Sequence, residues 1–149
     1  MRRFEGRTAV VSGAAQGIGK AVALRLGDEG ATVIAVDLNG QGAAVTAKAI
    51  GGKSISLQCD IGDPDSVSKL FSAVAGKSGK LDVLVNAAAI VPFVKWDELT
   101  FEEWRRVMRV NLDGLYLTVH LFNCIGVSFG SKNNDKKGYP VMPISSRHR

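Results

Sequence analysis

The chain has 149 residues, 46% apolar and 22% charged, which predicts one globular domain with one core. No apolar run approaches the roughly 20 residues that span a bilayer, and the Met1–Gly6 start has no signal-peptide stretch, so a soluble cytoplasmic protein without a membrane partner is expected. The net charge of +5 invites a nucleic-acid partner, but Lys132, Lys136, Lys137, Arg147 and Arg149 against Asp135 put +4 of it after His120. That distribution, with no basic stripe interleaved with aromatics, predicts a solvated tail and no nucleic-acid partner.

In chain order, Thr8 to Ser12 is short, apolar and β-branched between glycines, the pattern of a strand buried on both faces. Ile18 to Asp28 has helical apolar spacing stopped by Gly30. Ala31 to Asp37 reads as a second buried strand, and the Ala-rich stretch Gly40 to Ile50 as a helix broken by Gly51-Gly52. Ser54 to Cys59 alternates as a third strand. Asp63-Pro64-Asp65 then caps a helix from about Ser66 to Lys77, ended by Gly79. Leu81 to Asn86 is a fourth strand, and Thr100 with Glu103 forms a capping box for one long helix past Asn111. This alternation predicts an α/β fold, a doubly wound parallel sheet with helices on both faces. The two cysteines, Cys59 and Cys124, lack metal-ligand spacing and read as thiols in a reducing compartment, with no metal site.

The turn Ser12-Gly13-Ala14-Ala15-Gln16-Gly17-Ile18-Gly19 joins the first strand to the first helix. Gly13 can turn tightly off the strand, Gly17 lets backbone N–H groups approach a pyrophosphate, and Gly19 lets the helix pack on the sheet. The helix N-terminus adds free N–H groups and partial positive charge. Glycine turns are common, so placement and an acidic partner carry the reading. Asp37 ends the second strand 18 residues beyond Gly19, near the ~20 expected of a carboxylate that holds ribose hydroxyls and repels a 2′-phosphate. NAD(H) is therefore expected over NADP(H), with a helix-cap or turn role for Asp37 as the alternative. Asp60-Ile61 closes the third strand at the edge where open α/β sheets bind ligands; a plain turn aspartate is the alternative there.

With these motifs the chain resembles the short-chain dehydrogenase/reductase family over roughly Glu5 to His120. The resemblance implies a Rossmann-type fold in which Gly13, Gln16, Gly17, Ile18 and Gly19 line the pyrophosphate, Asp37 the adenosine ribose, and Asp60 with Ile61 the adenine. Asn86-Ala87-Ala88-Ala89 stands where the family has Asn-Asn-Ala-Gly, so Asn86 and Ala88 carry over as cofactor contacts more readily than Ala87 and Ala89. Asn111 matches the family's helix asparagine, implied to organise a proton-relay water; a solvent-facing or backbone-bonding asparagine is the alternative. Ile90 to Asp97 is similar to the pyridoxal 4-dehydrogenase branch, which implies a pyridine-type alcohol or carbonyl substrate, although Phe93 and Trp96 read equally as helix-entry packing.

Family chemistry also implies a tyrosine four residues before a lysine, but Tyr116 is followed at that spacing by His120 and Tyr139 by Pro143. Ile144-Ser145-Ser146 resembles the family's fifth-strand end, making Ser146 a candidate catalytic serine, with Pro140 and Pro143 arguing against a central strand. The pattern stops from Asn123. The expectation is therefore a binding half-domain at 1–120, truncated after about four βα units, with a divergent, disordered basic tail at 121–149. Open edges in such a half sheet imply poor solubility, a homo-oligomer, or association with a full-length subunit. A nucleotide-binding or interaction module without catalysis is the alternative function.

Overall fold

A computed structural model describes the backbone of residues 2–130 and the side chains of residues 2–124. Its elements are β1 (Thr8–Ser12), α1 (Gly17–Asp28), β2 (Thr32–Asp37), α2 (Gly40–Ile50), β3 (Ile55–Gln58), α3 (Pro64–Ser78), β4 (Val83–Asn86), a 3-10 turn (Trp96–Glu98), α4 (Phe101–Met108), a π turn (Arg109–Asp113) and α5 (Gly114–Gly130). The strands form one parallel sheet in the order β3-β2-β1-β4, with Val10 registered against Ile34 on one side and Leu84 on the other.

Side chains alternate across a strand, so each central strand feeds two cores. Ala9, Val11, Val33 and Ala35 face α1 and α2, where Ala23, Leu26, Ala43 and Ala47 meet them. Val10, Ile34 and Val36 point the other way, toward Val67, Leu70, Phe71 and Val74 of α3 and Leu117 and Leu121 of α5. The alanine-rich first layer brings its helices close to the strands that carry the glycine turn. The doubly wound expectation holds, with helices on both faces of a parallel sheet.

Local signals explain the boundaries. Asp63 caps α3 by accepting from the Asp65 N–H at 3.2 Å, and Pro64 opens the helix where no N–H partner is required. Thr100 caps α4 by accepting from the Glu103 N–H at 3.1 Å. The reciprocal half of the capping box is not made, because the Glu103 carboxylate turns to Arg106 at 2.6 and 3.0 Å.

Two features depart from the sequence reading. The long helix expected after Thr100 is interrupted by the π turn, where Gly62 and Gly114 let the chain after β3 press against it. A Cβ on Gly62 would stand 3.0 Å from the Arg109 carbonyl oxygen, and one on Gly114 would stand 2.9 Å from the Ile61 side chain. Moreover, the regular pattern does not stop at Asn123. Helix α5 continues to Gly130, anchored on the sheet by Leu117, Leu121 and Phe122. Ser146 and the basic residues from Lys132 onward lie outside the described residues.

Candidate active site

Ser12, the last residue of β1, is buried, and its hydroxyl staples two strand ends. Its Oγ accepts from the N–H groups of Ala87 and Ala88 at 3.2 and 3.3 Å, so the turn after β1 and the loop after β4 share one anchor. Gly13 follows with φ +70°, and a Cβ there would meet the Ala87 and Ala88 backbone at 2.7–2.8 Å. Only glycine fits that close approach. Gly19 is equally confined, since a Cβ would stand 2.1 Å from the Gly13 carbonyl oxygen. Gly17 differs: its φ is +54°, yet nothing lies within 4 Å of where its Cβ would be. Its role is to leave open space at the start of α1, where Gln16 makes no side-chain cap and the first turn carries no acid. Uncapped N–H groups facing open space suit an anion.

Asp37 closes the turn from the next strand. One carboxylate oxygen accepts from the Ala15 N–H and the other from the Asn39 N–H, both at 2.9 Å. Asn39 in turn caps α2 by accepting from the Gly42 N–H at 3.0 Å. Asp37 thus fills the alternative turn role as well, but its charge stands at the rim of the cavity. Thr46, fully buried in α2, donates to the Ala14 carbonyl at 2.8 Å and ties that helix to the same turn.

These groups surround a cavity of about 760 Å³. It brings together Gly13, Gln16, Gly17, Ile18, Gly19, Asp37, Asp60, Ile61 and Ala88 from the sequence reading. Sequence reasoning missed Leu38, Asn39, Cys59 and Val110 on its wall, residues that belong to no motif, and had read Ile90 only as part of the stretch to Asp97. Burial pushes the Cys59 thiol up, which keeps it protonated. Asp60 is both a turn residue and a wall residue: its Oδ1 accepts from the Gly62 N–H at 2.9 Å, and its Oδ2 pairs with Arg109 Nη1 at 3.1 Å.

Two expected contacts are not in the cavity. Asn86 is turned to the buried Thr118, whose Oγ1 lies 2.8 Å from Asn86 Oδ1, so its amide fixes the end of β4 to α5. Asn111, in the π turn, pairs both ways with one residue. Its Oδ1 accepts from the Ile90 N–H at 2.9 Å and its Nδ2 donates to the Ile90 carbonyl at 2.8 Å. The backbone-bonding alternative therefore describes its side chain, which holds the loop after β4. Phe93 (99% exposed) and Trp96 (80% exposed) do not pack at the helix entry, and no described element covers them. Tyr116 stacks on His120 with ring centroids 5.7 Å apart.

The residues fit a dinucleotide: an open glycine cradle at a helix N-terminus, a carboxylate at the next strand end, and a cavity long enough to reach Asp60 and the loop after β4. A second groove of about 880 Å³, between the start of α3 and α4–α5, carries Arg105, Arg106 and Arg109 but no glycine turn, and it lies away from Asp37.

A family model described as short chain dehydrogenase matches residues 7–124. The chain is 44% identical over 120 residues to a 3beta-hydroxysteroid dehydrogenase of Mediterraneibacter gnavus, covering 78% of this chain and 44% of the relative. It is 38% identical over 118 residues to D-threitol dehydrogenase of Mycolicibacterium smegmatis, covering 77% and 45%. Elsinochrome reductase 1 of Elsinoe fawcettii aligns at 33% identity with 97% of this chain and 58% of its own length, so that alignment passes residue 124. The chain thus spans about half the length of the curated relatives it matches. Among solved structures, one described as ribose-5-phosphate isomerase from Brucella melitensis 16M superposes with a TM-score of 0.78 at 38% identity, covering 84% of this chain and 48% of that one.

Proposed function

The chain belongs to the short-chain dehydrogenase family, and from that premise we propose that it is the cofactor-binding part of an NAD-dependent oxidoreductase acting on a small alcohol or carbonyl. The family uses nicotinamide cofactors, NAD or NADP. The observation that carries the choice of NAD is Asp37, whose carboxylate is held by the Ala15 and Asn39 N–H groups at the cavity rim. A fixed negative charge there accepts from ribose hydroxyls and repels a 2′-phosphate. When bound, the nicotinamide supplies or takes up the hydride. The cofactor contacts we assign are Gly13, Gln16, Gly17, Ile18, Gly19, Asp37, Asp60, Ile61 and Ala88, with Asn86 supporting β4 from behind. Asn111 enters as a positioning residue through Ile90.

The finer substrate proposal, a pyridine-type alcohol or carbonyl, rests on the stretch Ile90 to Asp97 alone. No tyrosine in the 149 residues is followed four positions later by a lysine. We therefore propose that proton transfer depends on residues supplied elsewhere, with Ser146 as this chain's candidate contribution and the cytoplasm as the compartment. Titration of the purified chain with NADH and NADPH, read by energy transfer from Trp96 and Trp104, tests the cofactor. Tighter binding of NADH, with the preference lost in Asp37→Ala, supports the reading; a preference for NADPH or no binding overturns it.

A second reading, a non-catalytic module that associates with its own copies or with a full-length subunit, is favoured by a different observation. β4 has a strand neighbour on one side only among the described residues, and Leu112, Leu115 and Tyr116 of the π turn and α5 are exposed. Sedimentation of the chain alone and with a full-length relative separates the two: a monomer in both mixtures argues against association.

A further inference from the structure

We propose that Arg109 is a positioning residue for base recognition, acting through Asp60 on the cavity wall; the proposal rests on the dinucleotide reading above. Asp60 is held on three sides. Its Oδ2 pairs with Arg109 Nη1 at 3.1 Å, its Oδ1 accepts from the Gly62 N–H at 2.9 Å, and its own N–H donates to Ser66 Oγ at 3.1 Å. The last two bonds come from the chain that follows β3. Among the described residues, Arg109 is the side chain that reaches the Asp60 carboxylate from a distant part of the sequence, the π turn between α4 and α5.

That turn is seated tightly. Gly62 lies under the Arg109 carbonyl, 3.0 Å from where its Cβ would be, and Gly114 lies against Ile61, whose side chain would have to shift for a Cβ there. The guanidinium therefore starts from a fixed backbone position, and its planar donors hold a carboxylate in one orientation better than a flexible ammonium does. The side chains are partly exposed, 47% for Arg109 and 28% for Asp60, so the pair contributes little to stability and its main effect is geometric. A carboxylate is an acceptor only. Held in one orientation on the cavity wall beside Ile61, it accepts from the exocyclic amine of adenine and repels the carbonyl oxygen that replaces this amine in hypoxanthine. The ion pair thereby sharpens discrimination between the two bases.

The test compares binding of NADH and of reduced nicotinamide hypoxanthine dinucleotide to the full chain and to Arg109→Gln, Arg109→Lys, Asp60→Asn and the Arg109→Gln/Asp60→Asn double variant. The native chain is expected to prefer the adenine dinucleotide by roughly tenfold, a ratio set by one charged hydrogen bond. Arg109→Gln should lower that preference about threefold or more while leaving the hypoxanthine dinucleotide within about twofold, as for a partly exposed pair. Arg109→Lys should restore part of the preference, and Arg109→Gln should add nothing in the Asp60→Asn background. Equal weakening toward both ligands means that Arg109 merely supports the fold, and an unchanged preference means that it does not act on Asp60; either result overturns the proposal alone. If the native chain binds neither dinucleotide, the cofactor reading falls and takes the proposal with it.

Discussion

The inner and outer strands of one sheet differ in what they need from the rest of the molecule. β1 is buried along its whole length and β2 along all but its two end residues, while β3 and β4 are half-buried and end on an exposed residue. The inner pair carries the glycine turn and Asp37, so this end of the proposed cofactor site is assembled from consecutive βαβ units and closed by its own hydrogen bonds. The outer strand β4 leads into the loop that begins at Ala87, and the stretch after it leaves Phe93 and Trp96 in solvent. The proposed cofactor site is thus built from residues local to the inner strands, whereas the loop after the outer strand β4 has fewer contacts to hold it.

This contrast is easiest to break at the strand ends. Gly13→Ala should cause the largest loss, about 2–5 kcal/mol, because it combines left-handed backbone strain with a clash against the Ala87 and Ala88 backbone. Chemical denaturation measures it, and a loss below about 1 kcal/mol would mean that the turn and the β4 loop are not held together as described. Next, Val36→Ala in the buried strand should lose about 2–3 kcal/mol and Val85→Ala in the half-buried strand about 1 kcal/mol. Equal losses would imply that β4 is covered in solution.

Gly17→Ala sharpens the comparison from the functional side. Its Cβ meets no neighbour, so stability should fall by about 1 kcal/mol from the positive φ alone. NADH affinity should nevertheless fall at least about tenfold as the cradle fills. The smallest effect is expected at Glu29, far from the site, where hydrogen bonds from Arg3 and Arg25 hold the carboxyl down to about 2 against an ordinary value of 4.5. A depressed carboxyl stabilises the fold above its unfolded value and loses that contribution as pH falls through 4.5 toward 2. Glu29→Gln should therefore lower Tm at pH 7 and match the native chain near pH 2. A Tm difference that does not shrink with acid would argue against the ion pairs.

Much of this was legible in the residues themselves. The four strands and the glycine turn follow from continuous apolar runs bounded by glycine, and the caps from Asp63-Pro64 and Thr100. The helices came within two residues of their ends up to Gly79, because breakers mark them. The π turn was not legible, since nothing in Met108-Arg109-Val110-Asn111-Leu112 breaks a helical pattern; it sits where Gly62 meets Arg109 and Gly114 meets Ile61, contacts made only in the fold. Thr46 and Thr118 were invisible for a similar reason: a threonine in a helix does not announce whether its hydroxyl bonds its own helix or a turn 32 residues away. Asn86 shows the limit of carrying a motif over, since its amide faces Thr118 and not the cavity.

The measurement that bears most directly on the account is hydrogen exchange of the full chain with and without NADH, read amide by amide. A site assembled on the inner strands predicts new protection at Ala15, Gly17 and Asn39, with little change along the exposed edge of β4. Protection confined to the β4 loop and α5, or none at saturating NADH, would contradict it.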